Sequence, residues 1–520
     1  MSSPAIDRRG FLKAAGGLSA AMMLSPAELS NASPSAKVTP AALGKKPNFL
    51  VVVADDQCFR TIHALNNSEV HTPVLDRLVA GGTTFTHCFH QGSWTGAVCV
   101  ASRAMMHTGR YLWTCGGTNC GYYPLLGEAL RMGGYDTRIV GKWHNGDQTA
   151  LRSFTAGKTI GPGFYESGPL SYDRPRPGDP WTPWDPKYLG HWTPHDLWDI
   201  EYPKIKDLWN DQDGPSPVKA GSHYKARQHS CELYADSAID MLRQTASRPG
   251  HPFLLYLAWN SPHDPRQAPK EFGEMYPADK IQVPPNFLPE HPFDQGDHDI
   301  RDEKLAPFPR APRDARVHRG EYYALITYMD RQLGRVLDAL QKTGLAGNTC
   351  VVITSDHGLA VGEQGLMGKQ NLYDCSVRMP FIISGPGIAA GRRIDALMYQ
   401  HCLFPTLCDL AGIPTPATVQ FPSLQPLLSG ERARLFDSIY CAYRGFQRMA
   451  RTDQYKLILY PKVKKVQLFD LEKDPWEITN LAGDSAHSAT VSELFRELKK
   501  WQETVGDTLV LHPATFGIRA

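Results

Sequence analysis

Long apolar runs are missing from this sequence. The one weakly apolar stretch near the start, Ala14 to Leu24, is too short to span a bilayer, and no later segment is longer and as apolar, which excludes a helical membrane protein and predicts no stable membrane association. Dense basic tracts are missing too. The 55 Lys and Arg residues are offset by 53 Asp and Glu, the net charge is +2, and no basic face is interleaved with aromatics, so a nucleic-acid partner is excluded. Cysteine is sparse: 11 in 520 residues is too few for a disulfide scaffold, and none of the paired spacings of a structural zinc site occurs. Buried thiols are expected, with Cys115 and Cys120 open as either a bridge or two thiols. No internal repeat is visible. What remains, 42% hydrophobic and 21% charged residues, is the balance of a globular protein, long enough for one large domain and a smaller one.

Residues 1–32 read as a removable address. Asp7-Arg8-Arg9-Gly10-Phe11-Leu12-Lys13 resembles a twin-arginine signal, the weakly apolar run follows it, and Ser30-Asn31-Ala32 supplies small residues for cleavage. The expectation is a protein exported in folded form by the twin-arginine machinery, periplasmic or secreted. Residues 33–46 read as a linker, 47–428 as the main domain and 429–520 as a C-terminal subdomain.

Asn48 to Ala54 is a continuous apolar, β-branched run, the pattern of a strand buried on both faces of a parallel sheet, and it ends in Asp55-Asp56. The design recurs. Thr137 to Val140 leads into Gly141-Lys142-Trp143-His144, Phe253 to Ala258 into Pro262-His263, and Cys350 to Thr354 into Ser355-Asp356-His357-Gly358. In open α/β sheets ligands bind beyond the C-terminal strand ends, so four segments are aimed at one crevice. Tyr322 to Leu340 carries an apolar helical stripe of Leu325, Met329, Leu333, Val336, Leu337 and Leu340. The predicted fold is α/β, a large, mostly parallel sheet sandwiched by helices. Strands at Ser438 to Tyr443, Tyr455 to Tyr460 and Val466 to Asp470, with a helix from about Thr490 to Val505, predict a smaller α+β subdomain carrying a short antiparallel sheet. Residues 150–230 and 265–318 lack periodicity and read as insertions over the crevice. Five of the 11 tryptophans fall between Trp181 and Trp209, as sugar-stacking faces or as packing of the insertion.

Adjacent carboxylates repel unless a cation or protons relieve them. Asp55 and Asp56 alone fit a helix N-cap as well as a metal, but Asp356, presented in the same way, tips the reading to a metal. Cys99-Val100-Ala101-Ser102-Arg103, then Thr108-Gly109-Arg110, resembles the signature of the type I sulfatases of the alkaline phosphatase superfamily. Ala54-Asp55-Asp56, Thr72-Pro73, Gly141-Lys142-Trp143-His144, Pro262-His263, Ser355-Asp356-His357-Gly358 and Gly368-Lys369 match in order, and Lys456-Leu457-Ile458, Leu468-Phe469-Asp470-Leu471 and Asp474-Pro475 resemble the family's C-terminal part.

The resemblance implies a sulfatase that hydrolyses the sulfate ester of a small molecule or glycan. Cys99 would be oxidised by a sulfatase maturation enzyme to formylglycine, whose hydrate is the nucleophile. A divalent cation would be held by Asp55, Asp56, Cys99, Asp356 and His357: Ca2+ for an oxygen-rich site, with Mg2+ or Mn2+ open because His357 is a softer ligand. Arg103 would orient the hydrate, Lys142 and Lys369 clamp the sulfate, His144 act as base and His263 protonate the leaving alcohol. His71, His90, His107 and His401 read as structural. Alanine at position 101 departs from the usual proline and points to the radical maturation system; His107 replaces an apolar residue. Two rivals stay open: a phosphonate monoester or phosphodiester hydrolase of the same superfamily, and a non-catalytic glycan-binding protein on a sulfatase-like scaffold.

Overall fold

The computed structural model of the protein describes residues 46–162, 196–201, 219–248 and 250–519. The signal and all but one residue of the linker lie outside them, as do Trp181, Trp184, Trp192 and Trp209. Trp198 is described, and it is buried in a short edge strand, Trp198–Ile200.

The main sheet follows the predicted design. Its strands run in the order Arg392–Ile394, Thr83–Phe89, Arg378–Ser384, Thr349–Ser355, Asn48–Ala54, Phe253–Ala258, Asp136–Lys142, Ala156–Gly161 and Trp198–Ile200, with Met398–Tyr399 also paired to Thr83–Phe89. Arg378–Ser384 and Trp198–Ile200 are antiparallel to their neighbours, and the rest pair in parallel. All four expected strands are buried along their whole length, which is why their sequences show apolar runs rather than alternation.

Side chains still divide between two faces. Phe49, Val51 and Val53 join a core with Met106, Leu403, Phe404 and Leu407, whereas Leu50, Val52 and Ala54 face Leu325, Met329, Leu333, Val336 and Leu340 of the helix Pro312–Lys342. Helices therefore cover both faces, and each fully buried Leu or Ile contributes roughly 1.5–3 kcal/mol against exposure. Thr72-Pro73 opens the helix Pro73–Gly81, whose free amides at Val74 and Leu75 are capped by the Asp330 carboxylate at 3.0 and 2.8 Å.

A second sheet runs Lys465–Asp470, Tyr455–Tyr460, Gln447–Arg451, Ile439–Tyr443 and Gly92–Ser93, the last pair parallel, and packs on the helix Ser488–Val505. The strand Gln447–Arg451 is not visible in the sequence because its ends are polar: Gln447, Arg448 and Arg451 are buried on hydrogen-bonded partners. Residues 150–230 and 265–318, read as insertions without sustained periodicity, contain regular elements. Ala156–Gly161 joins the main sheet, Ser153 and Ser230 fall in the helices Asp147–Ser153 and Ser230–Ala246, and the long helix begins at Pro312. Pro312 occupies its first turn and Asp314 bonds back to the Ala311 amide at 3.1 Å, signals that precede the apolar stripe. All 11 cysteines are free and buried, Cys115 and Cys120 included.

The register sets the site. Val53 pairs with Thr354 and Ala258, Ala54 with Ser355, and Gly141 with Ala258, so four strand ends finish side by side. Gly141 turns the last of them: its φ is +91°, the pairing with Ala156–Gly161 slips between Val140 and Lys142, and a Cβ would lie 2.0 Å from the Ala258 carbonyl oxygen. Gly141→Ala is expected to cost roughly 3 kcal/mol or more, read as a lower urea midpoint, whereas a midpoint equal to wild type would mean that the bulge is not required.

Candidate active site

Asp55 and Asp56 follow the first strand directly. Asp56 takes a left-handed conformation, φ +70°, and the turn is pinned from the neighbouring strands: Asp55 N donates to Ser261 O at 3.0 Å, Asp56 N to Asp356 Oδ1 at 3.3 Å and Gln57 N to Ser355 Oγ at 2.9 Å. The helix Val98–Thr108 enters from the other side, buried at every residue. Cys99 stands in its first turn and Arg103 one turn later on the same face, so the spacing of the signature motif is the helical repeat. Cys99 Sγ lies 3.3 Å from His144 Nδ1.

Three buried carboxylates meet three buried cations. Arg103 Nε donates to Asp356 Oδ2 at 2.9 Å, Lys142 Nζ binds Asp55 Oδ2, and Lys369 Nζ donates to Asp56 Oδ1 at 2.7 Å. Burial disfavours charge on each acid, and the outcomes differ. For Asp356 it is outweighed by His357, Arg103 and the two lysines, which hold the carboxyl far below its usual range. Asp55 is lowered as well: burial and Asp356 oppose its charge, but the Lys142 ammonium and the Arg103 guanidinium prevail. Burial wins at Asp56, which is raised well above the usual value despite Lys369. Thus the protein itself supplies the counter-charges that the sequence argument had assigned to a metal alone.

Ligand atoms of Asp55, Cys99, Asp356 and His357 nevertheless lie within 4.8 Å of one another, and Asp56, His263 and Asp264 form an adjacent group. Asp56 touches both, since its Oδ1 is 3.3 Å from His357 Nδ1. Asp55 Oδ1, Asp56 Oδ2 and His357 Nε2 are buried without a hydrogen bond. His357 Nδ1 bonds the Gly358 carbonyl at 2.9 Å, so in the neutral form that a metal ligand requires its Nε2 lone pair would face the acids. Orphaned oxygens and an imidazole lone pair, converging in a buried site, fit a divalent cation.

The two expected proton carriers stand apart. His144 is kept neutral by burial, Lys142 and Arg103, its pKa pushed down to about 3. His263 is likewise lowered, by burial and then Lys369; its Nδ1 lies 2.7 Å from the Asp264 carbonyl and its Nε2 4.0 Å from Asp56 Oδ2. The structure thus brings together all ten residues singled out in the sequence. Asp264, Arg301 and Asp302 were not among them. Arg301 bridges Asp264, at 3.2 Å, and Asp302, whose carboxyl it helps to hold down at about 2 against burial, and Asp302 in turn bonds Gln370 beside Lys369 at 2.7 Å. Asp264 was findable as the neighbour of His263; Arg301 and Asp302 sit in a segment without periodicity. Of the remaining histidines, His107 packs on Trp143 at 4.3 Å, His71 on Tyr276, His401 on Phe421, and His90 borders the site, 6.1 Å from the His357 ring.

An α/β enzyme with a charged, water-poor centre at its strand ends is the class that fold and site define. Residues 47–413 match the family described as Sulfatase, and 362–504 match the N-sulphoglucosamine sulphohydrolase C-terminal region. The chain belongs to the sulfatase family, a family of sulfuric ester hydrolases. It is 27% identical to an arylsulfatase of Clostridium perfringens over 88% of this chain and 94% of that one, and 24% identical to an N-acetylglucosamine-6-O-sulfatase of Bacteroides thetaiotaomicron over 89% and 87%. Its fold is shared with a structure solved in complex with its substrate D-glucosamine-2-N,6-O-disulfate (TM-score 0.66, 22% identity, 89% of this chain and 99% of that one) and with the phosphonate monoester hydrolase of Agrobacterium radiobacter (0.67, 20%, 88% and 96%).

Buried neutral histidines give this site a pH signature. His90, His107 and His144 are held near 3 by burial and neighbouring cations, while the unfolded chain protonates them near 6.5. Their contribution is fully present above pH 6.5 and is lost as pH falls toward 3, at up to about 1.4 kcal/mol per pH unit for each histidine. Stability from urea unfolding should therefore decline between pH 6.5 and 4.5, before most carboxylates titrate, and a flat profile there would refute the assignment.

Proposed function

We propose that the protein hydrolyses a sulfate ester on a carbohydrate, using formylglycine made from Cys99 and a bound divalent cation. The observation that carries this reading is the placement of Cys99, on the first turn of a buried helix, among Asp55, Asp356 and His357 and against His144. Hydrated formylglycine at position 99 would supply an oxygen nucleophile that an unmodified thiol does not. A divalent cation held by Asp55, Asp56, Asp356, His357 and modified residue 99 supplies a Lewis acid for sulfate oxygens; calcium suits the carboxylates, and the imidazole leaves magnesium or manganese as alternatives.

The protein's own groups do the rest. Neutral His144, in contact with residue 99, takes the nucleophile's proton. Lys142 and Lys369 offer ammonium groups to the sulfate oxygens, and Arg103 fixes Asp356 while facing residue 99 across one helical turn. His263 lies on a separate loop and delivers a proton to the departing alcohol; the sulfate's negative charge beside it raises its proton affinity when substrate binds. The carbohydrate assignment is supported by the glucosamine sulfatase among the relatives. Export by the twin-arginine route and maturation by the radical system, for which Ala101 argues, belong to the same proposal. The fold shared with a phosphonate monoester hydrolase favours a second reading, and relative rates on paired aryl sulfate and aryl phosphodiester substrates separate the two.

The deciding experiment is the mass of the tryptic peptide containing Cys99 from native-host protein. It should be about 18 Da below that of the thiol form; an unmodified thiol would remove the nucleophile and leave a glycan-binding protein as the better reading. His263→Ala should slow hydrolysis of sugar or alkyl sulfates by roughly 10²–10⁴-fold and that of p-nitrophenyl sulfate, with its good leaving group, much less. Equal loss on both substrates would show that His263 is not the acid.

A further inference from the structure

Arginine is concentrated at one place outside the crevice. A cavity of about 700 Å³ at the edge of the main sheet is lined by Arg378, Arg392, Arg393, Arg432, Arg434 and Arg451, and it shares no lining residue with the catalytic centre. Four carboxylates also line it, and they do not cancel the arginines. Asp374 is spent on Arg451 at 2.6 Å, Arg378 at 3.3 Å and Lys456. Asp453 pairs with Arg434 at 3.3 Å; Asp395 accepts the Thr86 hydroxyl at 2.5 Å, which leaves its charge in place, so the lining sets six guanidiniums against four carboxylates. Glu472 is exposed, without an ion pair among the described residues.

Three guanidiniums have no carboxylate partner there. Arg392 is fixed by the carbonyls of Leu428 and Leu427 at 2.6 and 3.0 Å, which orient the group without cancelling its charge. Arg393 and Arg432 are exposed, and among the described residues their side chains make no hydrogen bond or ion pair. His87, in the same wall, registers the field: burial, then Arg378, Arg451 and Arg393, push its pKa down to about 2. The wall is tied to the crevice, since the Arg378 carbonyl accepts the Phe59 amide at 3.3 Å and its guanidinium stacks 3.9 Å over the Phe59 ring, three residues past Asp56.

Guanidinium forks match the paired oxygens of tetrahedral and planar oxyanions, and the volume accommodates a sugar ring with its substituent. We propose that this cavity is a second oxyanion site, which takes a sulfate group carried by a sugar residue other than the one being hydrolysed. The proposal rests on the reading that the substrate is a sulfated glycan, and it makes that substrate an oligosaccharide bearing more than one sulfate.

The test is fluorescence-anisotropy titration of full-length Cys99→Ala protein with labelled heparin, chondroitin sulfate and carrageenan oligosaccharides, and with inorganic sulfate as competitor. R393E/R432E in the same background should weaken at least one oligosaccharide by about tenfold or more, with a shallower salt dependence, and R393Q/R432Q should weaken it less. With Cys99 intact, both double variants should keep the wild-type kcat/KM on p-nitrophenyl sulfate and the wild-type thermal midpoint; if R393E/R432E unfolds, R393Q/R432Q decides alone. Equal affinity of variant and parent for every oligosaccharide would overturn the proposal. Inorganic sulfate binding that depends on Arg393 and Arg432, without oligosaccharide binding, would overturn the glycan as its source. Arginine-dependent binding of oligosaccharides that the active enzyme never desulfates would uphold the site and sink the carbohydrate-sulfatase reading instead.

Discussion

Everything at the crevice depends on holding three buried carboxyl groups against cationic partners where water cannot help. Asp55, Asp56 and Asp356 are fully buried, and removing one partner of such a pair costs about 3–5 kcal/mol because the other is stranded. The pairing is built from distant pieces of chain: Arg103 from a helix, Lys142 from a strand end, Lys369 from a loop. Their convergence is a folding constraint as well as a chemical one. Ser102 Oγ and Gln400 Nε2 bond the Asp356 carbonyl at 2.5 and 3.0 Å, so the acid is held by its backbone too. In the proposed function the two lysines would serve two clients, carboxylates within the protein and the sulfate of a substrate, and the proposed divalent ion is the group that would let them pass from one to the other.

The strand design explains why so much of this was legible in the sequence. A parallel strand buried on both faces must be apolar throughout, so its polar ends stand out, and Asp55, Lys142 and Asp356 were found on that contrast. Cys99 and Arg103 were found only through the resemblance of their motif to the family signature, whose spacing the structure shows to be one helical turn. Periodicity fails where polar residues are buried on specific partners. Gln447, Arg448 and Arg451 belong to a strand that no apolar pattern marks, and Arg301 and Asp302 sit in a short 3-10 helix, Arg301–Leu305, tied by ion pairs rather than by an apolar stripe. The inference from carboxylates to a metal was incomplete for a related reason. Sequence spacing shows which acids are presented at strand ends, but not which lysine or arginine folds back to meet them.

His144 and His263 illustrate how one environment prepares two roles. Both imidazoles are neutral because burial and nearby cations penalise their charged forms. For His144 that is the state the proposed base would require, and the 3.3 Å contact with Cys99 Sγ sets it beside the residue it would deprotonate. His263 starts from the same state but faces the side on which Lys369, Asp56 and Asp264 meet, where the balance of charge shifts most when an anion arrives. The difference between them is therefore geometric before it is electrostatic.

Burial of Cys99 also orders events in time. The thiol has no exposure in the folded protein and belongs to a helix buried at every residue. A modifying enzyme would have to reach a thiol that the folded helix does not expose without breaking the Arg103–Asp356 pair and the packing of Met105 and Met106. The oxidation proposed for residue 99 would accordingly have to precede folding. A route that translocates folded protein, as the twin-arginine reading of the first residues proposes, then fits the same sequence: modification on the nascent chain, closure of the helix over the modified residue, and only afterwards export. Translocation of an unfolded chain would instead require the modification to survive, or to occur, on the far side of the membrane. The buried position of one cysteine thus links the chemistry proposed for the crevice to the address proposed for the N-terminus.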